Sequence, residues 1–373
     1  MIVNQSGGLV HYVQEESSIS WSFDARGLLR AVVKKDRKYK RGFCGRLQEI
    51  KFEPAPGVRR KKARFIENEK AGDLIKKFHR EAQEKSAAAG KKNKFRELTG
   101  EYDEQKYREN AEKFRRIWGQ IPILPPDQYR ALVFNFTSGC SYNRCNFCEF
   151  YRGEEFDWKA PAKFQKHLER GLSFFGPTLP FFTEIFLGSG DLLAAPPEAV
   201  VEALKLVRRC PELEGMPVHC FGPGFLGRRY GGDDLRKLVK RGLQRIYFGL
   251  ESGSRQVLQL LDKPFVPAEF RDSFRLCRQA GAAVGIIILL GAGGRDYFTE
   301  QIEETVRLLN GLDIGEEDRI FLSPLAEGKV GWAPGGDVEA LTGEEKLKQA
   351  ELLKEKIDYP LPVAGYDVED FMY

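Results

Sequence analysis

The stretch Ala131-Leu-Val-Phe-Asn-Phe-Thr-Ser-Gly-Cys140-Ser-Tyr-Asn-Arg-Cys145-Asn-Phe-Cys148 decides the fold, because an apolar strand runs directly into a polar loop with three cysteines. The loop has the spacing C-x4-C-x2-C, and no fourth cysteine follows nearby. Three thiolates can hold three irons of a [4Fe–4S] cube and leave the fourth iron open, whereas a fourth cysteine would close the cluster for electron transfer. The spacing therefore predicts a metal centre that carries out chemistry.

Two other interpretations of these cysteines stay open. Cysteines without a metal are common in protein cores. A structural zinc site is the second alternative, but zinc prefers four ligands. The nearest further candidates are not at ligand spacing: His167, His219 and Cys220.

From residue 130 to about 325, apolar strands alternate with amphipathic helices. The strand candidates are 131–136, 183–187, 217–221, 245–249, 284–290 and 319–322. The helix candidates between them are 160–174, 197–209, 232–241, 254–260, 267–280 and 298–311. Such repeats predict parallel strands with crossover helices, closed as a partial barrel or laid out as an open sheet. In both architectures a site gathers at the carboxyl ends of the strands.

Polar or glycine-rich turns follow these strands. Gly188-Ser-Gly-Asp191 follows the second strand, and Glu251-Ser-Gly-Ser254 follows the fourth. Turns need glycine anyway, so a single glycine carries little information. The ordered series of the cysteines, Asp191 and Glu251 is what indicates a site at this edge.

The N-terminal part of the chain has a different character. Short strands are expected over 18–52 and helices over 67–86 and 102–118, with 86–100 as a mobile linker. Residues 26–119 hold 29 Lys and Arg against 14 Asp and Glu, whereas 120–373 carry more acidic than basic residues. Such a block can bind nucleic acid, or it can be a solvated helical face.

Composition also bounds the compartment. No apolar run approaches the length of a membrane span, and the N-terminus lacks the pattern of a secretory signal. The seven cysteines do not form an even disulfide framework. We therefore expect a cytoplasmic protein, where thiols stay reduced.

Together these segments resemble the radical SAM superfamily over about residues 130–325. Thr137-x-Gly-Cys140, the triplet ending at Cys148, and Tyr151 resemble its cluster loop, and Leu187-Gly-Ser-Gly-Asp191 resembles its Gly-Gly-Glu element. Tyr247-Phe-Gly-Leu-Glu-Ser-Gly-Ser254, followed by Val257-Leu258 and Lys263-Pro264, is similar to the branch with the elongator catalytic subunit, oxygen-independent coproporphyrinogen oxidases and methylthiotransferases. Two features depart from the family pattern: one extra residue between Cys140 and Cys145, and Asp191 in place of glutamate.

The resemblance implies an α/β fold, a partial (β/α)6 TIM-like barrel. We expect the barrel over 126–325, an N-terminal α+β extension over 1–125 and a short helical tail over 326–373. The family's activity implies that S-adenosylmethionine binds the open iron of one [4Fe–4S] cluster held by Cys140, Cys145 and Cys148. Reductive cleavage would then produce a 5′-deoxyadenosyl radical that removes hydrogen from a substrate.

The same resemblance assigns cofactor contacts. The methionyl amine would be held by Gly188, Ser189, Gly190 and Asp191. Glu251 would reach the ribose hydroxyls, with Ser252 assisting, and the adenine would lie between Tyr151, Ile288 and Leu322. The alternative for Glu251 is a helix N-terminal cap just before Ser254.

The substrate side is less defined. We expect a small organic or cofactor-like substrate, with Arg228 and Arg229 as candidates to hold a carboxylate or phosphate. Cys220 and His219 are weak catalytic candidates, because one of them should point into the barrel. The family implies a flavodoxin or ferredoxin as electron donor. The alternatives are an RNA-modifying enzyme that uses the basic block and a non-catalytic iron–sulfur redox or sensor protein.

Overall fold

The computed structural model describes residues 2–14, 18–55, 58–325, 338–359, 363–366, 368 and 371–373. The chain divides into two compact units. The first comprises Met1–Ile121, His167–Thr183 and Glu369–Tyr373, and the second comprises Pro122–Lys166 and Glu184–Val368. Among the described residues, no helix is both long and apolar enough to cross a membrane.

The first unit contains, in its described part, an antiparallel meander of seven strands in which each strand pairs with the next. The strands are β1 (Ile2–Ser6), β2 (Leu9–Gln14), β3 (Ile19–Asp24), β4 (Leu29–Val33), β5 (Arg37–Arg41), β6 (Leu47–Ala55) and β7 (Val58–Ile66). The helices that follow are α1 (Asn68–Ala88), α2 (Lys92–Thr99) and α3 (Glu104–Trp118).

Alternating apolar residues explain which face of this sheet is covered. Tyr12 and Tyr39 are buried on one face, and their rings lie 4.9 Å from Phe95 of α2 and 4.8 Å from Phe78 of α1. An antiparallel sheet needs only one face packed on a core, and the helices supply that core here.

The linker expected over 86–100 is wrong, because it contains α2. Its lysines and glycines indicated a mobile segment, but Phe95 is completely buried and anchors the helix. Thr99 is also buried, and its hydroxyl donates a hydrogen bond to the Phe95 carbonyl at 2.8 Å. One large apolar contact thus outweighs an unfavourable local composition.

In the second unit, the described strands form a parallel sheet of seven in the order β16-β15-β14-β13-β12-β11-β8. They are β8 (Ala131–Phe134), β11 (Glu184–Asp191), β12 (Val218–Phe221), β13 (Leu243–Glu251), β14 (Ala283–Leu290), β15 (Arg319–Pro324) and β16 (Ala364–Gly365). A separate pair is formed by β9 (Thr137–Ser138) and β10 (Asp157–Trp158). The helices of the second unit are α5 (Pro197–Arg208), α6 (Gly232–Val239), α7 (Arg255–Leu260), α8 (Pro267–Ala280), α9 (Phe298–Asn310) and α10 (Gly343–Lys356). Helix α4 (Pro161–Phe175) begins in the second unit, and its residues from His167 onward belong to the first.

This topology confirms the predicted fold class, a partial TIM-like barrel of parallel strands with crossover helices. All six predicted strands are present and are neighbours in chain order. The C-terminal part contains the expected helix, α10, and also the short strand β16, which was not predicted. Two residues without strong β propensity give no sequence signal for a strand.

Ring contacts identify the concave face of the curled sheet. The Tyr247 ring lies 6.1 Å from Phe186, 6.3 Å from Phe221 and 6.3 Å from Phe321, which belong to three other strands. The next residue, Phe248, packs on Phe270 of α8 on the opposite face. Because side chains alternate along a strand, Tyr247 and Gly249 face the interior of the barrel. The strand register shifts between Gly249 and Glu251, but the Glu251 carboxylate lies beside the Gly249 backbone on this same face.

Candidate active site

The three cysteines lie on one loop between β9 and β10, and all three thiols are free and partly buried. Arg152 holds this loop, since its guanidinium donates to the carbonyls of Asn143 at 3.2 Å, Cys145 at 2.8 Å and Cys148 at 3.1 Å. Asn143 stands between Cys140 and Cys145, in the longer segment of the C-x4-C spacing. Asn143 has a φ of 49°, and its amide donates to the Tyr151 carbonyl at 2.6 Å. Asparagine adopts this left-handed conformation more readily than most residues.

Asp191, at the end of β11, lies beside the first cysteine. The Cys140 thiol donates to Asp191 Oδ2 at 3.7 Å, and the Ser141 hydroxyl donates to the same oxygen at 3.1 Å. Burial raises the pKa of Asp191, partly opposed by the Ser141 hydrogen bond. The structure therefore brings together the cysteine loop and the carboxylate after the second barrel strand.

The glycines before Asp191 allow β11 to approach the cysteine loop. A Cβ on Gly190 would lie 1.8 Å from the Gly139 carbonyl oxygen, so only glycine fits. Gly188 has a φ of 92°, and a Cβ there would lie 2.5 Å from the Thr137 hydroxyl. Between them, the Ser189 hydroxyl donates to the Thr137 carbonyl at 3.2 Å. The Tyr151 hydroxyl donates to the Ser189 carbonyl.

Glu251 ends β13 in an uncommon backbone conformation and is paired with a lysine. Its φ is 65°, and its carbonyl accepts a hydrogen bond from the Gln301 amide at 3.0 Å. Its carboxylate lies 3.2 Å from Lys263 Nζ, and both side chains are about nine-tenths buried. Gly249 leaves the space for this carboxylate, because a Cβ there would lie 2.3 Å from Glu251 Oε1. A left-handed non-glycine residue held by its surroundings is common at functional sites.

The alternative role of Glu251 as a helix cap is wrong. The N-cap of α7 is Ser254, whose hydroxyl accepts from the Val257 amide at 3.1 Å. Ser252 is completely buried and its hydroxyl donates to the Gln301 side chain. Gln301 of α9 thus contacts both Glu251 and Ser252, which fixes the chain after β13.

The apolar candidates lie in one row with Glu251 across neighbouring strands. Glu251 is in register with Ile288 of β14, and Ile288 is in register with Leu322 of β15. Ile288, Leu322 and Tyr151 are all buried. Tyr247 and Phe321 face the interior, so strand alternation turns the side chains of Ile288 and Leu322 toward the helices and away from the Glu251 carboxylate.

Burial dominates the electrostatics of the thiols. It raises the pKa of Cys140 to about 12 and that of Cys145 to about 11, and it raises the pKa of Cys148 as well. Burial acts to lower the pKa of Lys263, but the negative charges of Glu251 and Cys145 outweigh it, and this pKa lies above its ordinary value. Because thiolates are the metal ligands, metal binding here must release protons.

The donor set of this site consists of three thiols on one loop. Among the described residues, no three His, Cys, Asp or Glu side chains are arranged to hold one metal ion. A cube instead distributes its thiolate ligands over different irons. Cys140, Cys145 and Cys148 lie on one partly buried loop, with the Lys263 ammonium near two of them, and they are the type of ligand that such a cube uses.

The structure does not bring the two weak catalytic candidates to this edge. Cys220 is in register with Ile246, on the face opposite to Tyr247, where it neighbours Cys277 of α8. It therefore does not point into the barrel, because strand alternation turns it toward the helices. His219 does face inward, but its Nε2 lies 3.2 Å from Glu184, the first residue of β11. That position is at the amino ends of the strands.

The two candidate substrate arginines differ in their contacts. Arg228 forms an ion pair with Glu269 at 2.6 Å, and it also donates to the Pro264 carbonyl at 3.1 Å. Arg229 is exposed. Arg228 therefore already has a carboxylate partner within the protein.

Sequence reasoning missed several residues of this site. Lys263 belongs to the segment that resembles the family, and its spacing from Glu251 was the available signal. Arg152 stands four residues after Cys148, but an exposed arginine has no distinguishing pattern. Gln301 of α9 and Tyr366, which is buried after β16 near Tyr151 and Glu251, are distant in sequence and gave no signal.

Comparisons with known proteins agree with this geometry. Residues 134–309 match the profile of the radical SAM superfamily. A search of curated proteins found no significant match.

Solved structures provide more distant likenesses. Methylornithine synthase PylB is 16% identical, with 68% of this chain and 74% of that chain covered and a TM-score of 0.42. Coproporphyrinogen III oxidase HemN from Escherichia coli is 15% identical, with 65% and 54% covered and a TM-score of 0.41. The methyltransferase TsrM from Kitasatospora setae is 15% identical, with 53% and 36% covered and a TM-score of 0.38.

This chain spans about a third of the length of the first such structures, TsrM and OxsB. The family match runs from the strand before the cysteine loop to α9 and includes the cysteine loop, Asp191, Glu251 and Ile288, whereas Leu322 of β15 lies beyond it. Residues 134–309, just under half of the chain, therefore match a radical SAM domain, and the enzymes of that superfamily use a [4Fe–4S] cluster and S-adenosylmethionine.

Proposed function

We propose that this protein cleaves S-adenosylmethionine reductively at one [4Fe–4S] cluster and abstracts hydrogen from a small organic or cofactor-like substrate. One observation carries the proposal. The cysteine loop after β8, Asp191 after β11 and Glu251 after β13 meet at the carboxyl edge of a parallel barrel. Structural turns alone do not require a buried carboxylate and a half-buried one beside three thiols.

Cys140, Cys145 and Cys148 would hold the cluster, and Arg152 would keep their loop in shape. When bound, the reduced cluster supplies the electron that cleaves the sulfonium of S-adenosylmethionine to a 5′-deoxyadenosyl radical.

The neighbouring residues would bind and orient S-adenosylmethionine. Asp191 accepts hydrogen bonds and suits the methionyl amine, while Gly188 and Gly190 let the backbone approach the same group. Glu251 can accept from two adjacent ribose hydroxyls. Tyr151, buried beside Ser189, would flank the adenine, whereas Ile288 and Leu322 would contribute backbone atoms only, because their side chains face the helices.

A small substrate is favoured by the filling of the barrel. The Phe186, Phe221, Tyr247 and Phe321 rings pack together on the concave face. This aromatic layer leaves the carboxyl edge as the place for a substrate. The electron would come from a flavodoxin or ferredoxin, as in the family.

Anaerobic reconstitution tests the proposal. The wild-type protein should bind about four irons per chain and form 5′-deoxyadenosine from S-adenosylmethionine with dithionite. Alanine at Cys140, Cys145 or Cys148 should abolish both, whereas Cys210→Ala, which changes a partly buried cysteine of the same unit, should abolish neither. A reducible cluster that leaves S-adenosylmethionine intact would instead indicate a redox or sensor protein.

RNA is the second candidate substrate, and the charge of residues 26–119 favours it. This segment carries a net charge of +15 from 29 basic and 14 acidic residues. Several of its exposed arginines are paired on helices, including Arg108 with Glu104 and Arg116 with Glu112, which is typical of a solvated helical face. Faster 5′-deoxyadenosine formation on addition of RNA would favour the RNA substrate.

A further inference from the structure

Lys263 forms a buried ion pair with Glu251, but the proposed cofactor contacts give Lys263 no role. Lys263 Nζ lies 3.2 Å from Glu251 Oε1, and 11% of the lysine side chain is exposed. The ring centroids of Phe147 and Phe265 lie 5.8 Å and 5.3 Å from the same nitrogen. Burying a charged pair is unfavourable unless further interactions offset the loss of water. The loss of hydration of the Lys263 ammonium must therefore be offset by its interactions with neighbouring groups.

The turn that carries Lys263 is bound to the cysteine loop. The Tyr142 hydroxyl donates to the Asp262 carboxylate at 2.7 Å, and the Asn146 amide donates to the Leu261 carbonyl at 3.1 Å. The Asn146 side chain also donates to the Leu260 carbonyl at 2.9 Å. These bonds join the end of α7 to the segment between Cys140 and Cys148. Lys263 is thus held at a fixed place relative to the thiols.

The groups that face Lys263 are mostly acidic. Glu251, Cys145 and Cys148 all interact electrostatically with its ammonium, and Asp191 is also within range. With metal bound, the cysteines are thiolates and add negative charge. The ammonium then lies between the ligands of the cluster and the carboxylate assigned to the ribose.

We propose that Lys263 is a positioning residue that holds the Glu251 carboxylate in place and offsets the negative charge of the cluster. The inference depends on the proposed cluster and S-adenosylmethionine binding. A nearby positive charge stabilises the reduced, more negative cluster, so Lys263 raises its reduction potential. By orienting Glu251 before the cofactor arrives, Lys263 also strengthens S-adenosylmethionine binding.

The test compares Lys263→Met with Lys263→Arg by iron content, spectroscopic redox titration and equilibrium binding of S-adenosylmethionine. Lys263→Met should retain iron but be about tenfold harder to reduce, ~59 mV for one electron. Its dissociation constant for S-adenosylmethionine should rise at least tenfold. Lys263→Arg keeps the positive charge, so the reduction potential of its cluster should lie close to that of the wild-type protein. Arg278→Met is the matched control, because it also removes a positive charge from beside a buried carboxylate. The Arg278 guanidinium lies 3.7 Å from Asp318 Oδ2, and Asp318 directly precedes β15.

The control should leave both the potential and the binding of S-adenosylmethionine unchanged. If Lys263→Met does not fold, the double variant Glu251→Gln with Lys263→Met avoids a lone buried carboxylate. The cluster of this double variant should have a lower reduction potential than the cluster of Glu251→Gln alone. Equal potentials in the lysine and methionine forms would overturn the inference, whereas a wild-type protein that binds no iron would contradict the proposed function itself.

Discussion

At the scale of single residues, the site depends on a glycine that leaves room for a neighbouring backbone and on a short carboxylate next to it. Gly190 has no side chain because the Gly139 carbonyl occupies the place of its Cβ. Asp191 is shorter than the glutamate of the family pattern, yet it reaches Cys140 and Ser141. The shorter acid is compatible with a strand that approaches the cysteine loop this closely.

Gly190→Ala should prevent assembly of the site. The new Cβ would lie 1.8 Å from a backbone oxygen, so either β11 or the cysteine loop must move. We expect loss of most of the iron after anaerobic reconstitution and a lower melting temperature. Gly227→Ala is the matched control, since no heavy atom lies within 4 Å of its Cβ. Full iron binding by Gly190→Ala would show that the two segments separate readily.

Asp191→Asn should separate cofactor binding from cluster binding. The amide keeps the shape and can still accept from Ser141, but it loses the charge that attracts the methionyl amine. We expect normal iron content and a dissociation constant for S-adenosylmethionine raised at least tenfold, because hydrogen bonds to charged groups contribute about 1.5–3 kcal/mol. Unchanged affinity in a binding titration would remove Asp191 from the cofactor site.

At the scale of elements, the cysteine loop is ordered by contacts outside regular secondary structure. Arg152 joins three carbonyls of the loop, and the left-handed Asn143 donates a side-chain hydrogen bond to the Tyr151 carbonyl. Such a loop can present three thiols in one region without a helix or strand to position them.

Arg152→Ala should loosen the loop without removing a ligand. Three carbonyls lose a charged donor, so we expect slower reconstitution and faster loss of iron in air or to a chelator. Arg209→Ala, at an exposed arginine after α5, is the control and should behave as wild type. Iron release is followed by absorbance with a ferrous chelator, and identical release rates for the two variants would contradict a loop-holding role.

His79 of α1 predicts an acid-sensitive first unit. Burial lowers the pKa of His79 below its ordinary value of 6.5. The folded state therefore binds fewer protons than the unfolded state below that pH, and the free energy of unfolding falls as the pH drops through it. The loss cannot exceed about 1.4 kcal/mol per pH unit for one group. Urea unfolding between pH 7.5 and 5.5 should show a shallower decrease for His79→Phe, and an equal decrease would assign the effect to other groups.

At the scale of the whole molecule, charge is distributed unevenly along the chain. Residues 26–119 carry +15, whereas residues 120–373 hold 30 basic and 37 acidic residues. In the first unit many of the basic side chains already pair with acids, such as Arg64 with Glu49 and Arg96 with Glu101. Paired side chains contribute less to binding a polyanion than free ones.

Non-specific RNA binding should consequently be weak and sensitive to salt. We expect affinity measured by fluorescence anisotropy to fall at least tenfold between 50 and 200 mM salt, which corresponds to about two or more phosphate contacts. Heparin, which is also a polyanion, should compete with RNA and abolish this non-specific binding. Binding that persists at 200 mM salt and prefers one RNA would favour the RNA-modifying function over a small-molecule substrate.

The sequence alone determined the parallel α/β architecture and the edge at which the site forms, because strand and helix periodicity and the order of polar turns are local properties. It also determined the cysteine triplet, Asp191 and Glu251 as candidates. Tertiary structure decided what local patterns do not contain: that Phe95 anchors a helix in an apparent linker, and that Cys220 faces the helices. It also decided that Lys263 pairs with Glu251 beside the thiols. These outcomes depend on which face of a helix or strand packs against residues that are distant in sequence. Burial and charge pairing between such residues arise only when the chain has folded.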